Sequence, residues 1–327
     1  MLTDPYRRRI NYLRISVTDR CNLRCRYCMP EEGIPLITHG EVLSYEEILR
    51  VIRVFSEEGI TKVRLTGGEP LVRKGIVDFI SKLSRIEKIE DLSLTTNGVL
   101  LKEMAYDLKQ AGLKRINISL DSLRRERFHR ITRKDDFDRV WAGIGEAIRF
   151  QIFPIKINMV AIRGVNDDEI ESFARLTLHL PVTVRYIEYM PSGNGDSWKE
   201  ADLITIPQIR DHLKVLGPLI PVSPDRWDGP ARRYRINGSI GEIGFIGAVS
   251  SHFCGDCNRL RLTADGKIRT CLFSDEEIDL REIMRTGGSD RDLKDRLLKA
   301  IEAKPERHQI NSRQFKKCQR NMSAIGG

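Results

Sequence analysis

The chain has 327 residues, with 55 Lys+Arg against 46 Asp+Glu for a net charge of +9, and it is 40% hydrophobic and 31% charged. That is ordinary for a globular protein and long enough for roughly two domains. No run reaches the ~18 apolar residues of a membrane span, and the opening MLTDPYRRRI is basic with no apolar stretch behind it, so no signal peptide or membrane anchor is expected and a cytoplasmic protein is the default.

Taken in chain order, the first two-thirds alternates strand-like and helix-like segments. Strands are predicted at Leu13–Thr18, Lys62–Thr66, Asp91–Thr96, Arg115–Asp121, Lys156–Ile162 and Thr183–Met190. Helices are predicted at Ser44–Glu58, Ile76–Leu83, Lys102–Ala111, Phe137–Phe150, Asp168–Leu178 and Pro207–Leu216. Ser44 with Glu47, and Asn166 with Glu169, have capping-box spacing, and Pro207 suits a first helical turn. Six βα units imply a parallel sheet wound in one sense, an α/β partial or closed barrel. After Pro218 the rhythm stops. Short strands are expected across Arg232–Val249, then a charged helix at Asp290–Ala303 and a basic tail ending Ile325-Gly326-Gly327. We divide the chain at 217/218, giving a barrel unit and a smaller α+β unit.

Side chains two apart on a strand share a face. One face carries Leu13, Ile15, Val17, Val63, Leu65, Leu92, Leu94, Ile116 and Ile118. The other carries Arg14, Ser16, Thr18, Lys62, Arg64, Thr66, Ser93, Thr95, Asn97, Asn117, Ser119, Asp121, Lys156, Asn158 and Arg185. A closed barrel normally fills its interior with branched apolar residues. A polar interior with five cations describes a cavity for an anion, although a polar face turned to water is the common alternative. Interleaving at strand spacing also argues against nucleic acid as the reason for the surplus charge.

Six of the seven cysteines fall in two groups, Cys21-x-x-x-Cys25-x-x-Cys28 and Cys254-x-x-Cys257-x13-Cys271. In a chain with no export signal, clustered thiols favour metal over disulfides. Cys318 stands alone, and nothing near it in sequence suggests a partner. The first group follows the first strand, on the rim where such folds place their chemistry. Three thiolates can hold three irons of a cubane and leave the fourth iron open. A zinc loop would need a fourth Cys or His, and His39 matches no usual spacing. CxxxCxxC with Tyr27 before its last cysteine, and Thr66-Gly67-Gly68-Glu69-Pro70 closing the second strand, resemble the radical SAM superfamily. That resemblance implies S-adenosylmethionine chelating the open iron, and cleavage to a 5′-deoxyadenosyl radical.

The second group also offers three thiolates, with His252 the nearest imidazole and more plausible as a bystander than as a ligand. Within it, Asn258-Arg259-Leu260-Arg261-Leu262 places two guanidinium forks on one strand face, suited to phosphate oxygens. A solvated basic edge strand is the alternative. Arg124, Arg125 and Arg127 read as another solvated face.

The motifs LRISVTDRCNLRCRYCMP, VRLTGGEPLVRK, LSLTTNG, RINISLDSL, RYIEYMPSGN, CxxCx13C with NRLRL, and the terminal GG together resemble the molybdenum cofactor biosynthesis protein A family, the GTP 3′,8-cyclases. The resemblance runs from about residue 10 to the last glycine. It implies two 4Fe-4S clusters, on Cys21, Cys25 and Cys28 and on Cys254, Cys257 and Cys271. It implies S-adenosylmethionine contacts at Tyr27, Gly68, Ser119 and Met190. It implies GTP contacts at Arg14, Arg64, Thr95, Lys156, Arg259 and Arg261, with Lys62 and Arg185 on the phosphates. Arg14, Gly326 and Gly327 would stand at the reacting centre. It further implies a lyase, a homodimer, and product passing to a cyclic pyranopterin monophosphate synthase, with no nucleic-acid or membrane partner. The competing readings are a radical SAM peptide-modifying enzyme with an auxiliary cluster, and a zinc-dependent nucleic-acid module.

Overall fold

The computed structural model describes residues 2–191, 198–225, 228–310, 318 and 320–326. Its centre is six strands: β1 (Tyr12–Ser16), β2 (Lys62–Thr66), β3 (Asp91–Thr96), β4 (Arg115–Ser119), β5 (Ile155–Ala161) and β6 (Val182–Glu188). They pair in parallel and in chain order, because each helical crossover returns the chain beside the strand it left. The helices between and after them are α1 (Tyr45–Glu58), α2 (Ile76–Ser84), α3 (Leu101–Gln110), α4 (Arg125–Thr132), α5 (Phe137–Arg149), α6 (Ile170–His179) and α7 (Ile206–His212).

Local chemistry sets most boundaries. The capping box at α1 forms: Glu47 N–H donates to Ser44 Oγ at 3.1 Å, and Ser44 N–H donates to Glu47 Oε2 at 2.7 Å. Gly59 ends the helix at φ 118°, a left-handed turn in which a side chain would be strained. The second expected box does not form. Asn166 instead receives Ile162 N–H and donates to the Asp121 and Val160 carbonyls, pinning the turn after β5. Glu169 is buried and accepts from Ser122 Oγ, Leu123 N–H and Arg127. A single 3₁₀ turn precedes α6 as a result. Helix α7 stops at His212 rather than Leu216 and continues as a 3₁₀ turn.

Helix α4 was not expected, since Arg124, Arg125 and Arg127 masked its apolar stripe. Phe128 and Ile131 are buried. Arg124 and Arg125 are exposed, as expected, but Arg127 turns inward to Glu169 at 2.6 Å.

Beyond residue 217 the chain builds onto both edges of the same sheet. β9 (Glu242–Ile246) pairs parallel with β6, and β8 (Arg232–Ile236) and β7 (Leu219–Pro221) continue antiparallel. At the other edge β10 (Arg259–Leu262) pairs parallel with β1, followed by antiparallel β11 (Lys267–Arg269) and β12 (Ile278–Asp279). The product is one open 12-stranded sheet in the order β12-β11-β10-β1-β2-β3-β4-β5-β6-β9-β8-β7. Helices α8 (Arg281–Arg285), α9 (Asp290–Glu302) and α10 (Met322–Ile325) complete the described chain. Ser289 and Asp292 cap α9, which packs on α1.

The apolar strand face is fully buried, with Leu13, Ile15, Val63, Leu65, Leu94, Ile116 and Ile118 all at 0% exposure. Burying a Leu, Ile or Val side chain stabilises by about 1.5–3 kcal/mol, so this layer supplies much of the stability. The polar face is buried too. Ser16, Lys62, Arg64, Ser93, Asn117, Lys156 and Arg185 are all shielded from solvent, so it is an interior and not a wetted surface.

Candidate active site

Strand register sets cations beside cations. Arg14 stands in one row between Arg261 of β10 and Arg64 of β2. In the next row Tyr12 stands between Arg259 and Lys62. Across the sheet Lys156 lies between Asn117 and Thr183, and Arg185 beside Asn158. Like charges in adjacent positions repel, and burial sharpens the cost. Burial, with neighbouring guanidiniums, pulls Arg14 well down from its ordinary range and lowers Arg64. Burial, then Arg64, brings Arg185 to about 9; burial, then Arg259, brings Arg261 to about 10. Lys156 falls furthest into the working range, to about 7, through burial and then Arg185, Arg115 and Arg64.

Neutral groups orient much of this belt without neutralising it. Arg185 donates to Asn158 Oδ1 at 2.8 Å and Asn117 Oδ1 at 2.5 Å, and Arg64 donates to Ser93 Oγ at 3.2 Å. Asp91 answers Lys62 at 3.7 Å and also pairs with Arg115. The remaining positive charge is an unfilled electrostatic demand, and a polyanion would meet it.

The sheet curls around a cavity of about 270 Å³. Arg14, Arg64, Thr95, Ser119, Arg185, Arg259 and Arg261 line it, from six different strands. Tyr27 and Met190 line the rim, and Cys254, Cys257 and Cys271 form another part of the wall. The structure thus brings together most of the residues singled out in the sequence. Lys62, Lys156 and Gly68 are not among the residues lining it. Gly68 makes its close approach to its own chain: an added Cβ would lie 2.3 Å from the Arg20 carbonyl, and Gly68 N–H donates to Thr18 O at 2.7 Å. Thr95 Oγ1 is buried with no hydrogen-bond partner among the described residues.

The first cysteine loop is held largely by backbone. Arg24 and Arg26 N–H groups donate to the Thr132 and Ile131 carbonyls at the end of α4. Arg133, left-handed at φ 57°, donates to the Arg24 and Met29 carbonyls at 2.9 and 3.0 Å. Asn97 lies just past β3, where its amide meets Asn22 at 2.7 Å and the Cys21 thiol at 3.8 Å. Glu69 accepts from Leu71 N–H, Asn97 N–H and Thr96 Oγ1, and burial pushes it up to about 7. Tyr27 donates to Asp121 at 2.6 Å, and burial raises that carboxyl to about 6. Burial also raises the thiols, Cys21 to about 11, Cys28 to about 12, and Cys25 well above its ordinary value.

The second group sits among cations. Lys304 Nζ donates to the Arg259 and Thr270 carbonyls at 3.0 and 2.7 Å and lies 3.5 Å from Cys257 Sγ. Arg8 donates to the Cys254, Glu306 and Pro305 carbonyls and is locked by Asp4 at 2.5 Å. Burial opposes ionisation of Cys257, yet Arg259 and Lys304 outweigh it and draw the thiol to about 6. Cys318 is not an isolated thiol: it donates to Leu272 O at 3.3 Å, and the buried Arg269 approaches its sulfur at 3.7 Å. His252 packs edge-on against His308, ring centroids 5.4 Å apart.

The C-terminal tail returns to the site. Arg261 donates to the Gly326 carbonyl, and Gly326 has φ 84°, where a Cβ would lie 2.3 Å from Thr66 Oγ1. Only glycine fits there. Gly327 lies outside the described residues, as do Ser192 to Asn194 of the RYIEYMPSGN segment.

Among the described residues no three His, Cys, Asp or Glu side chains converge tightly enough to hold a single ion. A cubane places each thiolate on a different iron and can leave a fourth iron open, which suits loops of three thiols. Cys21, Cys25 and Cys28 fit one cluster, and Cys254, Cys257 and Cys271 another.

Residues 15–177 match the model of the Radical SAM superfamily, and residues 182–310 that of Molybdenum Cofactor Synthesis C. Among solved structures, that of Streptococcus suis SuiB bound to precursor peptide SuiA is similar at TM-score 0.59 and 15% identity, over 97% of this chain and 76% of that one. SuiB bound to S-adenosylmethionine is similar at TM-score 0.56 and 14% identity, over 84% of this chain and 65% of that one. At that identity the likeness is one of fold. Fold and cysteine motif together define the class, a radical SAM enzyme.

Full-length relatives narrow it further. The chain is 52% identical to GTP 3′,8-cyclase of Heliobacterium modesticaldum over 100% of both chains. It is 49% identical to that of Thermodesulfovibrio yellowstonii, again over 100% of both, and 50% identical to that of Geobacter sulfurreducens over 100% of this chain and 99% of that one. The chain belongs to the GTP 3′,8-cyclase family.

Several site residues escaped the sequence reading. Tyr12 was reachable, because it lies two positions before Arg14 and so on the same face. Arg8, Arg133, Arg269 and Lys304 carried no signal, since their partners are remote in sequence or are bare carbonyls.

Proposed function

We propose that this chain converts GTP to (8S)-3′,8-cyclo-7,8-dihydroguanosine 5′-triphosphate in molybdenum cofactor biosynthesis, using S-adenosylmethionine and two 4Fe-4S clusters. The observation that carries the reading is the buried belt of cations sharing one cavity with the second cysteine group. A triphosphate satisfies the belt, and a purine at the other end of the same molecule reaches the wall of thiols.

When bound, the cluster at Cys21, Cys25 and Cys28 and its S-adenosylmethionine supply a carbon radical able to take a hydrogen atom from C3′ of the ribose. The chain's own residues bind, orient and exclude water. Tyr27, Gly68, Ser119 and Met190 hold S-adenosylmethionine; Lys62 and Arg185 take the phosphates. Arg14, Arg64, Thr95, Lys156, Arg259 and Arg261 hold the nucleotide, Thr95 gaining the partner its buried hydroxyl lacks. Fixing both ends of the nucleotide sets C3′ against the radical source and C8 against C3′, where proximity supplies most of the advantage. Gly326, held by Arg261, and Gly327 close the reacting centre.

In this reading residues 1–217 carry the radical chemistry and 218–327 the second cluster and the tail. The protein works in the cytoplasm as a homodimer and releases its product to a cyclic pyranopterin monophosphate synthase. The deciding experiment incubates anaerobically reconstituted protein with GTP, S-adenosylmethionine and dithionite and identifies the nucleotide product. Formation of 5′-deoxyadenosine with GTP recovered unchanged would defeat the proposal.

A further inference from the structure

We propose that Tyr12 is a substrate-binding residue of this site: its phenol donates a hydrogen bond to an anionic oxygen of the nucleotide's triphosphate, while its ring holds Lys62 and Arg64 in position. The inference rests on the cavity being a GTP site and adds a residue that the sequence motifs do not mark.

Tyr12 opens β1, is 3% exposed, and lines the cavity. Its hydroxyl is buried and has no hydrogen-bond partner among the described residues. A buried hydroxyl in that state is costly, and proteins rarely leave one unmet. The surroundings say what is missing. Lys62 Nζ lies 4.9 Å and Arg64 Cζ 5.6 Å from the ring centroid, and Arg259 faces Tyr12 across the β1–β10 register. Arg14 follows two positions along on the same face.

Ammonium and guanidinium groups have donors only. They can supply the phenol oxygen but cannot accept its proton. The phenol's partner is therefore an acceptor, and phosphate oxygens are acceptors that the same cations attract. A ribose hydroxyl or the guanine carbonyl also accepts, and tripolyphosphate, which carries neither, tells the two cases apart.

The ring has a separate part. Cations resting on an aromatic face gain from its quadrupole even when desolvated, so Tyr12 steadies two nucleotide-binding side chains before the nucleotide arrives. The field of Arg64, Arg14, Lys62 and Arg259 outweighs burial and lowers the phenol from its ordinary value, consistent with a strengthened donor.

Two variants separate these parts. Tyr12→Phe keeps the ring and removes the hydroxyl; Tyr12→Leu removes both. Binding of GTP and of inorganic tripolyphosphate is measured by calorimetry on anaerobic, cluster-loaded protein, and steady-state product formation is followed alongside. For Tyr12→Phe the expected result is an affinity lower by about tenfold to a hundredfold for both ligands, with KM raised and kcat recovered at saturating GTP. Tyr12→Leu is expected to lose more than Tyr12→Phe; if it does not fold, the Phe variant still decides. Unchanged GTP affinity in Tyr12→Phe overturns the proposal. Weakened GTP with unchanged tripolyphosphate overturns it as well, because the hydroxyl would then serve the nucleoside. Wild-type protein that binds both ligands but yields no cyclised nucleotide defeats the cyclase reading and leaves the Tyr12 assignment standing.

Discussion

The two cysteine loops carry the same number of thiols and are built in opposite ways. The first is held mainly by backbone, on the carbonyls ending α4 and on Arg133, beside the carboxylates Glu69 and Asp121. The second is clamped by charged side chains from far along the chain, Arg8 near the N-terminus and Lys304 after α9. The first loop takes its backbone bonds from α4, far along the chain, and the tail reaches it where Ser323 N–H meets Cys28. The second needs charged groups from near both ends of the chain. The difference teaches that both loops depend on distant chain, the first mostly through backbone carbonyls and the second through buried cations.

The sharpest way to break that comparison is Cys25→Ala. We expect S-adenosylmethionine cleavage to vanish while about four irons per chain remain on the second group, as measured by iron analysis and 5′-deoxyadenosine release. Loss of iron from both groups would show the loops to be interdependent.

Lys304→Met tests the other side. Two buried carbonyls lose their donor, so we expect a destabilisation of about 2–4 kcal/mol by denaturant titration. Iron should fall from about eight to about four per chain, with the first cluster kept. Arg259→Ala should weaken GTP binding about tenfold to a hundredfold by calorimetry; unchanged affinity would remove it from the site. It leaves the first loop untouched, because its neighbours are Tyr12 across the strand register, the second cysteine group and Phe253, 4.8 Å away.

A smaller effect concerns protons. In the free protein Lys156 is half protonated near pH 7, because burial and then Arg185 oppose its charge. A bound polyphosphate favours the ammonium, so GTP binding takes up a proton and affinity falls as pH rises past 7, by at most ~tenfold per unit. Calorimetry in buffers of different ionisation enthalpy reads this directly. Stability of the free protein moves the other way. The unfolded lysine keeps its proton up to its ordinary 10.5 while the native one has lost it above about 7, so the penalty from Lys156 fades as pH rises between them.

The smallest expected effect is on the tail. Arg320 binds Asp265 at 2.9 and 2.8 Å and Glu277 at 2.7 and 2.9 Å, ahead of α10. Arg320→Ala should selectively speed hydrogen exchange across 322–326, with the rest of the chain little changed.

How much was legible follows from these same residues. Period-two alternation placed Arg14, Arg64, Thr95, Ser119 and Arg185 on one face, because strand geometry allows only two faces. The capping box at Ser44 was visible because its partners are three residues apart. The box at Asn166 was not to be had, since the Asp121 and Val160 carbonyls compete for that side chain. Helix α4 was hidden by arginines that read as a solvated face.

The sequence alone determined the βα alternation, the two cysteine groups and the face on which the cations stand, since all three are set by spacing along the chain. Tertiary structure decided the rest. It placed β9 and β10 at opposite edges of one sheet, set Arg261 and Arg259 beside Arg14 and Tyr12, and returned Gly326 to Thr66. These contacts join residues hundreds of positions apart, and strand pairing and close packing record no trace of such partners in the local pattern.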